Sequence, residues 1–213
     1  MLKATIDFKE QMAEARRIQI VMGAAQVFSQ KGFHQATTKE VAKAAEVAEG
    51  TIYNYFDNKR ELLMAMMELL GSWSLESIVQ KKPPNNPRQF LTILLNDLYQ
   101  LLQERGDFAA PILAEIFSDA ELRDALYQQL ARPIAAYMEQ YLETHAPSSS
   151  LRRRNPIVIT YALMGAMLLN FVLKATNLDP RYHNISTEAI IDQLGILFLD
   201  DLRANQELVW FVS

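Results

Sequence analysis

Apolar residues recur at spacings of three and four along nearly the whole chain, and two stretches break the pattern clearly. Ile18, Val21, Ala25 and Phe28 set it near the start; Ile190, Ile191, Leu194, Leu197 and Phe198 repeat it near the end. That spacing collects side chains on one face of a helix, whereas a strand would need alternation. The breaks are "KKPPNNP" at residues 81–87, where prolines remove amides and restrict their neighbours, and "APSSSLRRRNP" at residues 146–156. The chain therefore reads as all-α, with no internal repeat and no low-complexity tract.

Ahead of the first break the pattern divides into four helices. The first stops at Gly32 in "KGF". The second, in "TTKEVAKAAE", has Thr37 three residues before Glu40, the spacing at which two side chains satisfy each other's free amides. A short third helix falls in "AEGTIYNYF". A long fourth runs through "DNKRELLMAMMELLGSWSLESIV", where Asn58 and Glu61 repeat the capping spacing. Behind the break come "RQFLTILLNDLYQLLQER", "FAAPILAEIFSD" and "AELRDALYQQLARPIAAYMEQYLETH", the last bent at Pro133. "IVITYALMGAMLLNFVLKAT" and "STEAIIDQLGILFLDDLRAN" close the chain. The organisation expected is a first domain over residues 1–60, a connecting helix at 59–80, and a second domain over 61–213.

Charge and composition narrow the function. The chain carries a net charge of −4, which argues against a protein that simply coats nucleic acid. The distribution is uneven, with nine Lys/Arg against seven Asp/Glu in residues 1–60 and twelve against eighteen beyond. Cysteine is absent, which excludes disulfides, thiolate metal sites and cysteine nucleophiles and suits a reducing, cytoplasmic setting. The first residues lack the apolar core of a secretory signal. His34, His145 and His183 are isolated and suggest no metal site. No phosphate-cradling glycine loop, serine elbow or supported acid pair appears, so neither an enzyme nor a cofactor is expected.

"TIYNYF" taken alone reads as an ordinary aromatic core turn. Its neighbours change that, because two short helices joined by a tight turn over residues 37–56 form the layout that presents a second helix to the DNA major groove. Ile52 and Phe56, four apart, can point inward, which leaves Glu49, Gly50, Thr51, Tyr53, Asn54 and Tyr55 toward DNA. Hydroxyls can bond phosphates, glycine permits close approach, and asparagine can read adenine. Lys59 adds a cation beside free helix amides.

"AAQVFSQKGF", "TTKEVAKAAEV" and "GTIYNYFDNKREL", in this order, resemble the DNA-binding domain of the tetracycline repressor (TetR/AcrR) family over roughly residues 17 to 65. The resemblance implies a homodimeric, all-helical transcription regulator, usually a repressor, whose C-terminal domain binds a small-molecule effector that releases operator DNA. Carried over by position, its DNA contacts fall on Thr38, Lys39, Glu49, Gly50, Thr51, Tyr53, Asn54, Tyr55 and Lys59. Two positions depart from the pattern. Glu46 stands where the family often has glycine in the turn, and Ala48, a poor cap, stands where it often has Ser or Thr. Glu49 is also unusual, since a carboxylate is unfavourable beside phosphate yet can accept from a cytosine amine.

Phe90, Leu94, Leu98, Phe108, Phe117, Tyr137, Tyr161, Met164, Met167 and Asn170 are the residues from which a family-like pocket would be drawn, although each alone also reads as plain core. An apolar or amphipathic ligand is the expectation. Residues 157–173 carry no charge, so a membrane anchor has to be weighed against a helix buried by its own domain and a twin subunit. Thr160, Tyr161 and Asn170 favour the second, and no membrane partner is expected. The resemblance places the dimer interface on the last two helices, at Ala162, Gly165, Ala166, Ile190, Leu194, Leu197 and Phe198. Arg152, Arg153 and Arg154 read as a solvated loop, and the apolar tail "ELVWFVS" as packing. The helix from Lys59 to about Val79 is the natural lever between ligand and recognition helices, which must enter grooves about 34 Å apart. An adaptor that binds a protein partner through the same fold, and a membrane-tethered regulator, are the competing readings.

Overall fold

A computed structural model of the chain describes residues 2–79, 82–145 and 155–199, and no strand occurs among them. The helices are α1 (Leu2–Lys31), α2 (Thr38–Ala44), α3 (Glu49–Ile52), α4 (Lys59–Val79), α5 (Pro87–Glu104), α6 (Gly106–Glu115), α7 (Ala120–Leu126), α8 (Arg132–His145), α9 (Pro156–Thr176), α10 (Pro180–His183) and α11 (Thr187–Leu199). The arginine run 152–154 and the tail 207–213 lie outside the described residues.

Three elements differ from the sequence pattern, each for a local reason. Helix α1 extends back to Leu2, because residues 2–17 are free of glycine and proline and rich in helix formers, although residues 8–17 bury little. Helix α3 is only four residues long, and Tyr53–Tyr55 leave it as a turn. The expected single bent helix over 120–145 is two helices joined by a π turn at Tyr127–Ala131. Pro133 lacks the amide that would bond the carbonyl of Gln129 four residues back, and widening the preceding turn accommodates that loss.

The chain divides into two compact units, residues 1–73 with 105–130, and residues 74–104 with 131–213. In the first, α1 packs on α2 and on α6, and α2 on α3. Its core runs from Ile20, Ala24 and Phe28 through Ile52, Leu62 and Met66 to Phe108 and Leu122. Phe108 meets the edge of Trp73 at 4.9 Å, and the Arg105 guanidinium sits 4.3 Å over the Trp73 ring. Arg60 forks onto both carboxylate oxygens of Asp119 at 2.8 Å and also reaches Glu121 at 2.7 Å. These contacts carry α6 and α7 into the unit that holds the DNA-binding segment, so the unit is larger than residues 1–60.

In the second unit α5 packs on α9 and α11, and α8 on α9. Phe90 stacks on Tyr141 at 3.5 Å and Tyr141 on His145 at 4.5 Å. The Tyr141 hydroxyl donates to the Pro84 carbonyl at 2.7 Å, which ties the proline corner to α8. Burial pushes the Tyr141 phenol up from its ordinary value.

Candidate nucleic-acid interface

The helix-turn-helix is held by complementary caps and close backbone approach. The Thr37 hydroxyl accepts from the Glu40 amide at 3.3 Å while a Glu40 oxygen accepts from the Thr37 amide at 3.1 Å. Lys31 pairs with Glu40, and that pairing holds the Glu40 carboxyl below its usual range. The second capping signal closes one residue wider than its spacing suggests: Asn58 accepts from the Glu61 amide at 3.1 Å, and Glu61 accepts from the Asp57 amide at 2.8 Å. Gly23 lets α1 approach the end of α2, since a Cβ there would sit 2.7 Å from the Ala45 nitrogen. Gln19 donates to the Ala45 carbonyl at 2.6 Å. The turn itself runs through Glu46 at φ +53°, a left-handed conformation that costs a side-chain-bearing residue energy and explains why glycine suits the position. Ala48 caps α3 with no side-chain hydrogen bond.

Ile52 and Phe56 are buried, as their spacing implies. Lys39, Glu49, Gly50, Tyr53 and Asn54 are exposed, and Thr38, Thr51 and Tyr55 are half-buried. The structure links three of these side chains. The Thr38 hydroxyl donates to Glu49 Oε1 at 3.2 Å and lies 3.1 Å from the Tyr53 hydroxyl. A carboxylate only accepts, so Thr38 gives its proton to Glu49 and Tyr53 gives its own to Thr38.

Lys59 departs from its expected role. Its ammonium donates to the carbonyls of Phe33 at 2.9 Å, His34 at 3.2 Å and Ala36 at 2.7 Å, all three protons being engaged. The residue fastens the α1–α2 loop to the start of α4 and does not present a cation outward.

The pocket candidates separate. Phe108 is core of the first unit and Phe117 in the same unit is 90% exposed, whereas the other candidates belong to the second unit. In the second unit Phe90, Leu94 and Tyr137 line a cavity of about 30 Å³ beside Pro83, Pro84 and Asp97. Leu98 and Met164 are half-buried, Met167 is buried and Tyr161 is exposed. Asn170 is buried, donates to the Ala166 carbonyl at 2.6 Å and leaves its own carbonyl oxygen without a partner. A wider, open cleft of about 460 Å³, which the sequence pattern did not single out, is lined by Tyr99, Gln103, Phe171, Lys174, His183 and Thr187.

The dimer candidates separate too. Ile190 and Leu194 are buried within the unit on α11, the helix that packs on α5, so they do not face outward. Ala162, Gly165 and Leu197 are exposed, Ala166 is half-buried, and the side chain of Phe198 lies outside the described residues. Val158, Tyr161, Ala162, Gly165, Leu169 and Val172 form an exposed, uncharged face along α9, with Leu169 60% exposed. By length and composition residues 157–176 are apolar enough to cross a membrane, at a mean hydropathy of 1.8. The polar residues Thr160 and Asn170 lie on the buried side.

Comparison with known proteins agrees with this geometry. Residues 20–66 match the family profile of bacterial regulatory proteins, tetR family. The fatty acid metabolism regulator protein of Bacillus subtilis (strain 168) is 30% identical over 117 residues, covering 53% of this chain and 59% of that protein. This chain thus spans less than two thirds of that relative in the match. The fold is shared with the fatty acid degradation regulator FadR from Bacillus halodurans, at a TM-score of 0.71 and 21% identity over 88% of this chain and 96% of that one. It is shared also with FadR from Bacillus subtilis in complex with stearoyl-CoA, at 0.65 and 20% over 86% and 97%. Residues 20–66 thus resemble the domain of tetR-family bacterial regulatory proteins, and the described residues have an all-α fold.

Proposed function

We propose that the protein is a homodimeric repressor that leaves its operator when an amphipathic acyl-CoA thioester binds its second unit. The observation that carries the DNA-binding half is the polar surface of Lys39, Glu49, Gly50, Tyr53 and Asn54, kept exposed on a helix-turn-helix whose apolar side is buried. Thr51 and Tyr55 complete the contact set at its edge, and Thr38 stands behind them against Glu49.

Support for the dimer comes from α9, whose exposed uncharged face runs from Val158 to Val172, about 21 Å at 1.5 Å per residue. A second copy covering it, with close approach at Gly165, removes an apolar stripe from water and sets two recognition helices at a fixed spacing. That arrangement suits a cytoplasmic protein better than a membrane span does. Support for the ligand comes from the stearoyl-CoA bound to a neighbour of the same fold, and from the amphipathic lining of the 460 Å³ cleft, where Phe171 lies beside Lys174 and His183. Asn170 offers an unpartnered acceptor deeper in the unit. A ligand releases DNA only as far as it prefers one dimer state over the other.

The test is fluorescence anisotropy of the purified protein on the DNA flanking its own gene, with stearoyl-CoA or free CoA added. Stearoyl-CoA is expected to weaken binding at least about tenfold, a coupling of ~1.4 kcal/mol, while free CoA leaves it unchanged. Equal binding with acyl-CoA of every chain length overturns the ligand. Leu169→Glu, at an exposed site, is expected to yield a folded monomer by sedimentation; an unchanged dimer removes α9 from the interface.

A further inference from the structure

We infer that Glu49 reads cytosine in the operator, and that Thr38 and Tyr53 are positioning residues which hold its carboxylate for that contact. The inference rests on the DNA-binding reading and adds to it the base that one side chain selects.

The hydroxyl chain on the recognition surface runs in one direction, from Tyr53 to Thr38 to Glu49 Oε1, over 3.1 and 3.2 Å. Both hydroxyl protons are used inside it. Neither Thr38 nor Tyr53 can then donate to a phosphate oxygen, which only accepts, so the usual assignment of such hydroxyls to the DNA backbone does not fit this arrangement. What the chain does is fix the rotamer of a carboxylate at the first position of α3, leaving Oε2 as the acceptor presented to whatever lies against the helix.

A carboxylate placed against DNA is repelled by phosphates and by most base edges. In the major groove guanine offers N7 and O6, both acceptors, and thymine offers O4 and a methyl group. Donors come from adenine N6 and cytosine N4 alone. Adenine sets its amine beside N7, an acceptor that repels the second carboxylate oxygen, whereas cytosine has no acceptor of its own on that edge. A held carboxylate therefore prefers cytosine and penalises the other three bases. The amide of glutamine, with a donor beside its acceptor, instead matches adenine. A plainer role for Glu49, as a negative charge at the start of α3, needs no hydroxyl tether and would alter helix stability without altering base preference.

The experiment selects duplexes from a randomised pool with the full-length protein and with Glu49→Gln, Glu49→Ala and Thr38→Val, all checked for folding by circular dichroism, and then measures affinities by anisotropy. Wild-type protein is expected to enrich a cytosine in each half-site and to lose about tenfold in affinity when that C·G pair becomes T·A. Glu49→Gln is expected to shift the preference at that pair to adenine. Glu49→Ala should bind all four variants alike and non-specific DNA more tightly, through relief of repulsion. Thr38→Val is expected to reduce the cytosine preference with little change in average affinity; a uniform loss across sequences would instead make Thr38 a phosphate contact and overturn its positioning role. Sequence-selective wild-type binding whose base preferences survive Glu49→Gln and Glu49→Ala overturns the inference and leaves the repressor reading intact. Absence of any selective wild-type binding overturns both.

Discussion

Lys59→Met keeps most of the side-chain stem and removes the ammonium that donates to the carbonyls of Phe33, His34 and Ala36. The His34 bond is exposed and water can replace it. The other two are part-buried, and a bond to a charged group contributes about 1.5–3 kcal/mol. With partial rescue by water and by the thioether on the Phe33 ring, the expected loss is about 2–3 kcal/mol. For a chain of this size each kcal/mol moves Tm by roughly 2–4 °C, so melting should fall roughly 5–10 °C. The variant should also keep the slope of log affinity against log salt on operator DNA, because the ammonium it loses is not placed on a phosphate. A direct phosphate contact from each of two subunits would change that slope by about 1.8, or about 0.9 per contact. Differential scanning calorimetry and anisotropy across a salt series read the two quantities separately. Unchanged melting together with a slope shallower by about 1.8 would refute the assignment of Lys59 to the loop.

Three further outcomes follow from local geometry. Glu46→Gly, at φ +53° on an exposed turn, should stabilise by up to about 1 kcal/mol in urea unfolding, the relief of strain being offset in part by greater freedom of the unfolded chain. Gly71→Ala puts a Cβ 2.7 Å from the Gln129 carbonyl oxygen, a backbone atom that cannot step aside, so overpacking should outweigh the better helix propensity and lower stability by about 1–2 kcal/mol. The Asp119 carboxyl is held at about 2, chiefly by the Arg60 guanidinium. Its native value lies below the unfolded one, so its contribution is fully present above about pH 4 and is lost as pH falls from about 4 toward 2. The gap in unfolding free energy between wild type and Asp119→Asn should therefore close across that window, and a gap independent of pH would count against the pairing.

Short-range signals were legible in the sequence and long-range ones were not. The Thr37–Glu40 cap, the Gly32 stop and the proline corner at 83–87 act within a few residues, and the structure has them where the spacing implies; the Asn58–Glu61 cap forms too, with its return bond one residue earlier, at Asp57. The loop-fastening role of Lys59 is hidden in the sequence because its partners lie 23 to 26 residues away, on a loop whose carbonyls converge only after folding. Phe108 and Phe117 follow α5 in the chain and so read as part of the regulatory half, yet α6, which carries Phe108, packs on α1. The α11 stripe was visible at Ile190 and Leu194, but periodicity does not say whether a stripe is covered by α5 or by a twin. The outward face of α9 emerges only once Thr160, Met167 and Asn170 are seen turned inward. The Thr38–Glu49–Tyr53 link joins residues already singled out as DNA contacts, but its direction needed their distances.

The most direct test of the central claim is the affinity of the purified, full-length protein for the DNA flanking its own gene against a scrambled duplex of equal length, measured by anisotropy across a salt series. A selective operator-binding dimer predicts tighter binding to the flanking DNA by roughly 10³-fold or more, with two subunits per site. Equal, weak binding to both duplexes and to every genomic fragment tried would contradict it and favour an adaptor that engages a protein partner.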